Sequence, residues 1–169
     1  RTLGVQRALG EALIKPGRLR IEYDATMTRN AAEAFDARSG NCLSLVLMTA
    51  AFAKALDLRV EYHSANQEES WSRRGNLLVV SGHVNISLGR RPLDVGARNH
   101  ERVLTIDFLP PADASSLRTQ PIDESTIVAM YFNNRAAEAL LAERLDEAYA
   151  FARTAVRTDP RFLAAYNTL

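Results

Sequence analysis

The stretch SGNCLSLVLMTAAFAKALDL, residues 39–58, carries the clearest helix signal in the chain and decides how the rest is interpreted. Gly40 ends the pattern before it, Asn41 is a favoured helix-capping residue, and residues 42–57 form the helix candidate. The first residue of that helix, Cys42, is the only cysteine in the sequence. A single thiol excludes an internal disulfide, which leaves a packed core residue, a reactive thiol or a bridge to another chain.

Composition places the chain among ordinary globular proteins. Its 169 residues are 47% hydrophobic and 24% charged, with a formal net charge of +1. This balance gives no reason to expect nucleic acid as a partner, and no apolar run reaches the ~18 residues of a membrane span. No Gly-rich phosphate loop or metal-ligand spacing is present, so we predict no cofactor and no metal site. The chain starts at Arg1 and stops within a helical pattern; we therefore expect a piece of a longer protein and leave its compartment open.

Helical patterns come first along the chain, and strand patterns follow. The helical ones are residues 2–14, 28–38 and 42–57, and the strand ones are residues 58–65, 77–89 and 102–109. The segment 77–89 is predicted to form two short strands or one strand bent at Gly82, and the polar residues 66–76 a loop or hairpin tip. Helices before strands, without alternation, predict an α+β fold in which N-terminal helices pack on an antiparallel sheet.

The C-terminal segment is predicted to be purely helical. After residue 122 the pattern predicts two amphipathic helices joined near Glu143. A third helix starts at Arg161. We therefore divide the chain into an α+β domain, residues 1–121, and a helical segment, residues 122–169.

This helical segment resembles a tetratricopeptide repeat. Aromatic, small and proline residues stand at that family's positions, namely Phe132, Ala148, Ala155 and Pro160. Tyr166 follows Phe132 by 34 residues, which is the repeat length of the family. The resemblance implies further repeats beyond Leu169, because one repeat cannot bury both of its faces, and a protein partner bound along them.

The segment also departs from that pattern. Arg135 and Ala136 stand where the tetratricopeptide family has a leucine–glycine pair. The alternative is a plain helical hairpin packed on the front domain.

Three residue types in the front domain suggest acyl-transfer chemistry. A helix N-terminus carries partial positive charge and free N–H groups, which lower a thiol pKa and bind an oxyanion, so Cys42 is a candidate nucleophile. Among His63, His83 and His100, we choose His83 as the base because it starts a regular strand in SGHVNISLG. Asp107, an acid within the apolar strand LTIDFLPP, is the candidate that orients the histidine.

The order of these three residues resembles the transglutaminase-like superfamily, which shares the papain-type Cys-His-Asp arrangement. The motifs that carry the resemblance are SGNCLSLVLMTAAFAKALDLRVEY, GHVNISL and TIDFLPP, within about residues 38–111. It implies a papain/transglutaminase-like core with Cys42 as nucleophile, His83 as general base and acid, and Asp107 as orienter. The family also uses an upstream oxyanion donor, for which Tyr23 is the candidate.

The match has departures in two of its motifs. Val84 and Asn85 stand where the family usually has alanine and tryptophan, and Phe108 stands where it has proline. The triad is intact, but the type of substrate is left open by these changes.

The function predicted from the sequence is a thiol-dependent amide-bond hydrolase or acyltransferase that acts through an acyl-thioester on Cys42, with a protein or peptide substrate. We favour hydrolysis because no dedicated amine-binding signature is present. The alternative is a catalytically inactive scaffold whose repeats bind other proteins; a redox sensor built on Cys42 is a third. The structural explanations are a packed cysteine, a histidine bonded to a carbonyl and an aspartate that caps a turn.

Overall fold

The computed structural model describes residues 4–14, 19, 21–74, 77–89, 103–108 and 118–169, and the side chains of 66–74 and 77–81 are not among the features described. Within these ranges the chain forms six helices and a four-stranded antiparallel sheet. The predicted α+β class is therefore confirmed. Leu3, His100 and the proline pair at 110–111 lie outside the described residues.

The predicted helices and sheet strands follow one another in the predicted order. The helices are α1 (Val5–Ile14), α2 (Ala31–Ala37), α3 (Cys42–Ala55), α4 (Glu124–Leu141), α5 (Leu145–Thr158) and α6 (Ala164–Thr168). The strands are β1 (Glu22–Tyr23), β2 (Ser39–Gly40), β3 (Val60–Arg74), β4 (Leu77–Leu88), β5 (Leu104–Ile106) and β6 (Arg118–Ile122). The two-residue strands β1 and β2 between the first three helices, and β6, were not predicted.

The main sheet has the strand order β5-β4-β3-β6. We predicted a loop or hairpin tip at 66–76; this is wrong for residues 66–74, because β3 continues through them to Arg74, and residues 75–76 lie outside the described residues. They pair with a run of strand-forming residues at the start of β4, with Trp71 opposite Val80, after a register shift between Ala65 and Ser70. A neighbouring strand can supply ladder hydrogen bonds to a polar segment, which overrides its weak strand propensity. The alternatives for 77–89 resolve to one strand over Leu77–Leu88.

Helix α3 lies at the centre of the front domain. It packs against α1, α2, α4 and β4, so it is covered on several sides. Leu45, Val46 and Met48 are fully buried, and they belong to the same hydrophobic core as Ile86 and Leu88 of the sheet. A helix enclosed in this way is apolar around most of its circumference, which explains the strong signal of residues 42–57.

The start of α3 is fixed by local contacts. The Asn41 Oδ1 accepts a hydrogen bond from the Ser44 backbone N–H at 2.9 Å, which confirms the predicted N-cap. Just before it, Gly40 pairs with Tyr23 in the short parallel β1–β2 ladder, which the sequence did not indicate. A Cβ at Gly40 would lie 2.6 Å from the Ser44 Cβ, so only glycine allows this close approach.

Helices α4 and α5 form an antiparallel hairpin with an alanine-lined interface. Ala148 and Ala155 are fully buried, and the rings of Phe132 and Phe151 are 6.2 Å apart between their centroids. The third helix begins at Ala164 rather than at Arg161, because hydrogen-bonded turns intervene. Both the repeat and the plain hairpin share these features, so the choice between them stays open.

No helix among the described residues combines the length and the apolar character that crossing a membrane requires.

The contact at Gly40 predicts a position-specific effect of an added methyl group. Gly40→Ala is expected to lower the free energy of unfolding by about 1–3 kcal/mol, because the new Cβ overlaps a rigid helical residue. Gly82→Ala is the matched control, since no atom lies within 4 Å of the Cβ it would add. Urea unfolding measures both changes. Equal stability of the two variants would contradict the packing described for Gly40.

Candidate active site

His83 and Asp107 are joined by a hydrogen bond across neighbouring strands. His83 lies on β4, Asp107 follows β5 directly, and the His83 Nε2 is 2.8 Å from the Asp107 Oδ1. A carboxylate only accepts hydrogen bonds, so Nε2 carries the proton and Nδ1 is left as the basic nitrogen of the neutral ring. The His83 side chain is 4% exposed, which restricts its motion. The structure therefore places Asp107 where it fixes the ring and its tautomer.

Asn85 holds the other oxygen of the same carboxylate, a contact that the sequence reasoning missed. Its Nδ2 donates to the Asp107 Oδ2 at 3.1 Å. Alternate residues of a strand share one face, so Asn85 lies on the same side of β4 as His83. The register of Ile86 opposite Ile106, continued by one residue, places Asn85 opposite Asp107. His83 and Asn85 are two residues apart in a predicted strand, and side chains at this spacing share a face. This spacing could have identified Asn85 from the sequence.

The hydrogen bond to Asp107 determines how the Asn85 amide is oriented. Its amide must turn Nδ2 toward the carboxylate, and its buried Oδ1 then has no hydrogen-bond partner among the described residues. An unsatisfied buried acceptor costs about 1–3 kcal/mol. Unsatisfied groups of this kind are rare in folded proteins and are typical of sites under a functional constraint. Asn85 thus fixes the second oxygen of the Asp107 carboxylate.

Cys42 is the first residue of α3 and is half-buried. Burial raises the pKa of the Cys42 thiol above its usual value, and hydrogen bonds from the backbone N–H groups of Val84 and Leu43 oppose this rise. The nearby Asp107 charge adds to it. We expected the helix N-terminus to lower this pKa. That expectation is wrong: the pKa is raised overall, because desolvation of the thiolate outweighs the effect of the amide groups.

The three predicted triad residues therefore meet at one place, but with unequal contacts. The Cys42 sulfur lies against the backbone of Val84, the residue after His83. The described hydrogen bond of the His83 ring goes to Asp107, and none joins it to the Cys42 sulfur. Because its pKa is raised, Cys42 rests as a neutral thiol rather than as a thiolate.

Tyr23 lies beside Cys42, although only the family resemblance suggested it as a site residue. Burial raises the pKa of the Tyr23 phenol, the neighbouring Cys42 charge adds to the rise, and a hydrogen bond from the Cys42 backbone opposes it. The side chain is 52% exposed, so its hydroxyl also faces solvent. The β1–β2 ladder, in which Tyr23 pairs with Gly40, produces this placement. The Cys42 backbone amide thus faces the phenol oxygen, which keeps Tyr23 beside the start of α3.

Of the two remaining histidines, His63 lies beside the site on the neighbouring strand, and His100 lies outside the described residues. His63 stands opposite Asn85 on β3, and its buried Nδ1 has no hydrogen-bond partner among the described residues. Within the same ranges, no three His, Cys, Asp or Glu side chains are grouped as metal ligands would be.

The raised thiol pKa gives a test of the resting state. The Cβ signal of ¹³C-labelled Cys42 is unambiguous because the chain has one cysteine, and its titration should have a midpoint above the usual value of about 8.5. Asp107→Asn removes a negative charge that disfavours the thiolate, so it should lower the midpoint. Asp146→Asn, on the exposed side of α5, should leave it unchanged. A wild-type midpoint well below 8 would instead indicate a standing thiolate.

Neither a protein-family model, nor a curated protein, nor a solved structure matches the chain. The functional argument therefore depends on the geometry of Cys42, His83, Asp107 and their neighbours.

Proposed function

We propose that the protein is a thiol-dependent acyl-transfer enzyme that cleaves amide bonds through an acyl-thioester on Cys42. The observation that carries the proposal is the His83–Asp107 hydrogen bond of 2.8 Å, reinforced by Asn85, beside a cysteine at a helix start. A doubly held carboxylate that fixes a histidine tautomer has no evident value for packing. Next to a thiol, it provides a base of defined orientation.

The first half of the reaction forms the acyl-enzyme. The Cys42 sulfur attacks the carbonyl carbon of the substrate amide while its proton moves to the His83 Nδ1. The carbonyl oxygen becomes an oxyanion, which in this proposal the Tyr23 hydroxyl beside Cys42 stabilises by donating a hydrogen bond. The C–N bond then breaks, His83 returns the proton to the leaving amine, and the acyl group remains on sulfur as a thioester.

The second half releases the acyl group. Water attacks the thioester carbonyl and gives its proton to His83, the C–S bond breaks, and the proton passes back to the Cys42 sulfur. An amine in place of water gives a new amide instead. Hydrolysis is our preferred outcome because the sequence offers no dedicated amine-binding signature.

A neutral resting thiol suits a mechanism in which the proton moves during attack. Burial makes a free thiolate costly, so the nucleophile forms only when His83 accepts the proton within the reacting complex. Asp107 offsets the charge that then develops on the imidazole. The buried site thereby protects the thiol from reaction with solutes that do not occupy it.

The finer fold assignment belongs to the same proposal. The order of cysteine helix, histidine strand and aspartate strand is similar to the papain/transglutaminase-like core, and residues 122–169 resemble a tetratricopeptide repeat. On this view the substrate is a protein or peptide, and the helical segment contributes to binding a protein partner.

One observation favours the alternative of an inactive scaffold. The described hydrogen bond of the His83 ring goes to Asp107, and among the described contacts none joins it to the Cys42 sulfur. A thiol without a hydrogen bond to a histidine base is what a packing residue would show. The two functions differ in whether His83 affects the reactivity of Cys42.

Acylation by an activated ester tests the proposed chemistry. With 4-nitrophenyl acetate, wild-type protein should release a burst of nitrophenol and carry an acetyl group on Cys42 in intact-mass spectra. Cys42→Ser should abolish the acetylation, and His83→Ala should slow it by about a hundredfold or more, since general base catalysis supplies 10²–10⁴-fold. Asp146→Asn, at an exposed position of α5, is the control and should remain close to wild type. Equal rates for wild type and His83→Ala would exclude the proposal in favour of the scaffold.

Tyr23→Phe, measured in the same assay, separates oxyanion stabilisation from thiol reactivity. Loss of one oxyanion donor should slow acetylation by about 10²–10³-fold. The rate of alkylation by iodoacetamide should not change, because that displacement forms no oxyanion. An equal loss in both reactions would mean that Tyr23 only shapes the site.

A further inference from the structure

Thr28 is a buried residue whose polar groups are all bonded to helix α4. It lies in residues 24–30, here called the Thr28 loop, and is 1% exposed. Its backbone N–H donates to the Glu138 Oε1 at 2.6 Å, and its carbonyl oxygen accepts from the Arg135 Nη1 at 3.0 Å. Its hydroxyl oxygen accepts from the Asn134 Nδ2 at 3.2 Å. These contacts join residues more than a hundred positions apart.

The same hydroxyl connects the Thr28 loop to α3, the helix that carries Cys42. The Asn41 Nδ2 donates to the Thr28 Oγ1 at 2.9 Å, while the Asn41 Oδ1 caps α3 at Ser44. A second link runs from the Arg29 backbone N–H to the Ser44 Oγ at 2.8 Å. Cys42 follows the capping residue directly, so a displacement of Asn41 displaces the start of the helix that carries the sulfur.

The Thr28 loop depends on α4 for its buried hydrogen bonds. A buried backbone group left without a partner costs about 1–3 kcal/mol, so the Thr28 conformation is disfavoured if α4 moves away. The loop is also ordered from within: Asp24 accepts hydrogen bonds from Thr26 and from Arg29, and these lower the pKa of Asp24 to about 2. It is therefore a compact unit with α3 on one side and α4 on the other.

Arg135 accounts for one departure from the repeat pattern. It stands where the tetratricopeptide family has leucine, and its guanidinium reaches the Thr28 carbonyl. The same group lies 5.7 Å from the ring centroid of Phe151 on α5, so it also ties the hairpin together. A leucine would make neither polar contact. The residue at this position is suited to holding the Thr28 loop.

We propose that helix α4 positions the nucleophile, with Asn134, Arg135 and Glu138 acting through Thr28 and Asn41 on Cys42. This inference rests on the proposed acyl-transfer function. The three α4 residues are positioning residues, since none of them is placed against the reacting atoms. The helical segment 122–169 then contributes to the active site by positioning Cys42, in addition to any role in binding a partner.

The test is a double-mutant comparison that reports the alignment of Cys42 with His83. The measured quantity is a ratio of iodoacetamide alkylation rates at pH 7: the rate of a protein that has His83, divided by the rate of the same protein carrying His83→Ala. Thr28→Val removes the shared acceptor and should reduce this ratio by about tenfold or more, since a displacement of ~1 Å can cost a hundredfold in a reaction. Thr28→Ser retains the hydroxyl and should preserve the ratio.

A matched control separates alignment from general destabilisation. Thr126 on α4 donates its hydroxyl to the Asp159 Oδ2 at 2.6 Å, within the C-terminal segment. Thr126→Val removes a comparable bond, so it should lower the melting temperature and leave the ratio unchanged. A reduced ratio in this control would show that any loss of stability suffices and would overturn the proposal.

The remaining outcomes distinguish the two proposals. If His83→Ala has no effect on alkylation in the wild type, the acyl-transfer function fails. If His83 matters but Thr28→Val leaves the ratio intact, only the positioning role fails. Should Thr28→Val not fold, Glu138→Ala replaces it, with Glu138→Gln as the conservative partner that keeps an acceptor for the Thr28 N–H. An unchanged ratio in Glu138→Ala would likewise overturn the positioning role.

Discussion

The Asn41 side chain makes the interaction on which the candidate site depends. One of its amide atoms caps α3 at Ser44, and the other donates to Thr28, so a single residue sets both where the helix begins and what holds it. The adjacent Gly40 brings the chain so close to the helix that no side chain fits there. Cys42 therefore has little freedom of position, which a nucleophile requires and a packing residue does not.

The sheet provides the other half of the site by different means. His83 and Asn85 project from one face of β4 and share the two oxygens of Asp107, so the carboxylate is fixed by strand geometry and not by a flexible loop. Helix and sheet meet where the Cys42 sulfur contacts the backbone of Val84. The thiol is kept neutral by burial, so in our account its reactivity comes from proton transfer to a prealigned histidine.

Local features of the site were predictable from the sequence, whereas long-range ones were not. The Asn41 cap depends on neighbouring residues, and the placement of Asp107 beside His83 follows from strand order; their catalytic role stays a prediction. The raised thiol pKa depends on burial, which no motif specifies. The hydrogen bonds of Thr28 to α4 join distant parts of the chain, and nothing near Thr28 in sequence indicates them. Similarly, β3 extended through polar residues because its partner strand, not its own composition, determined the pairing.

The most direct measurement is the pH dependence of Cys42 alkylation in wild type and in His83→Ala. Our account predicts that wild-type protein reacts at neutral pH through a step that needs the neutral imidazole, giving a reactive limb below pH ~8 that the variant lacks. The variant should react only as the buried thiol ionises, above the usual thiol pKa of about 8.5. Identical profiles would contradict the account, because His83 would then lie near Cys42 without accepting its proton.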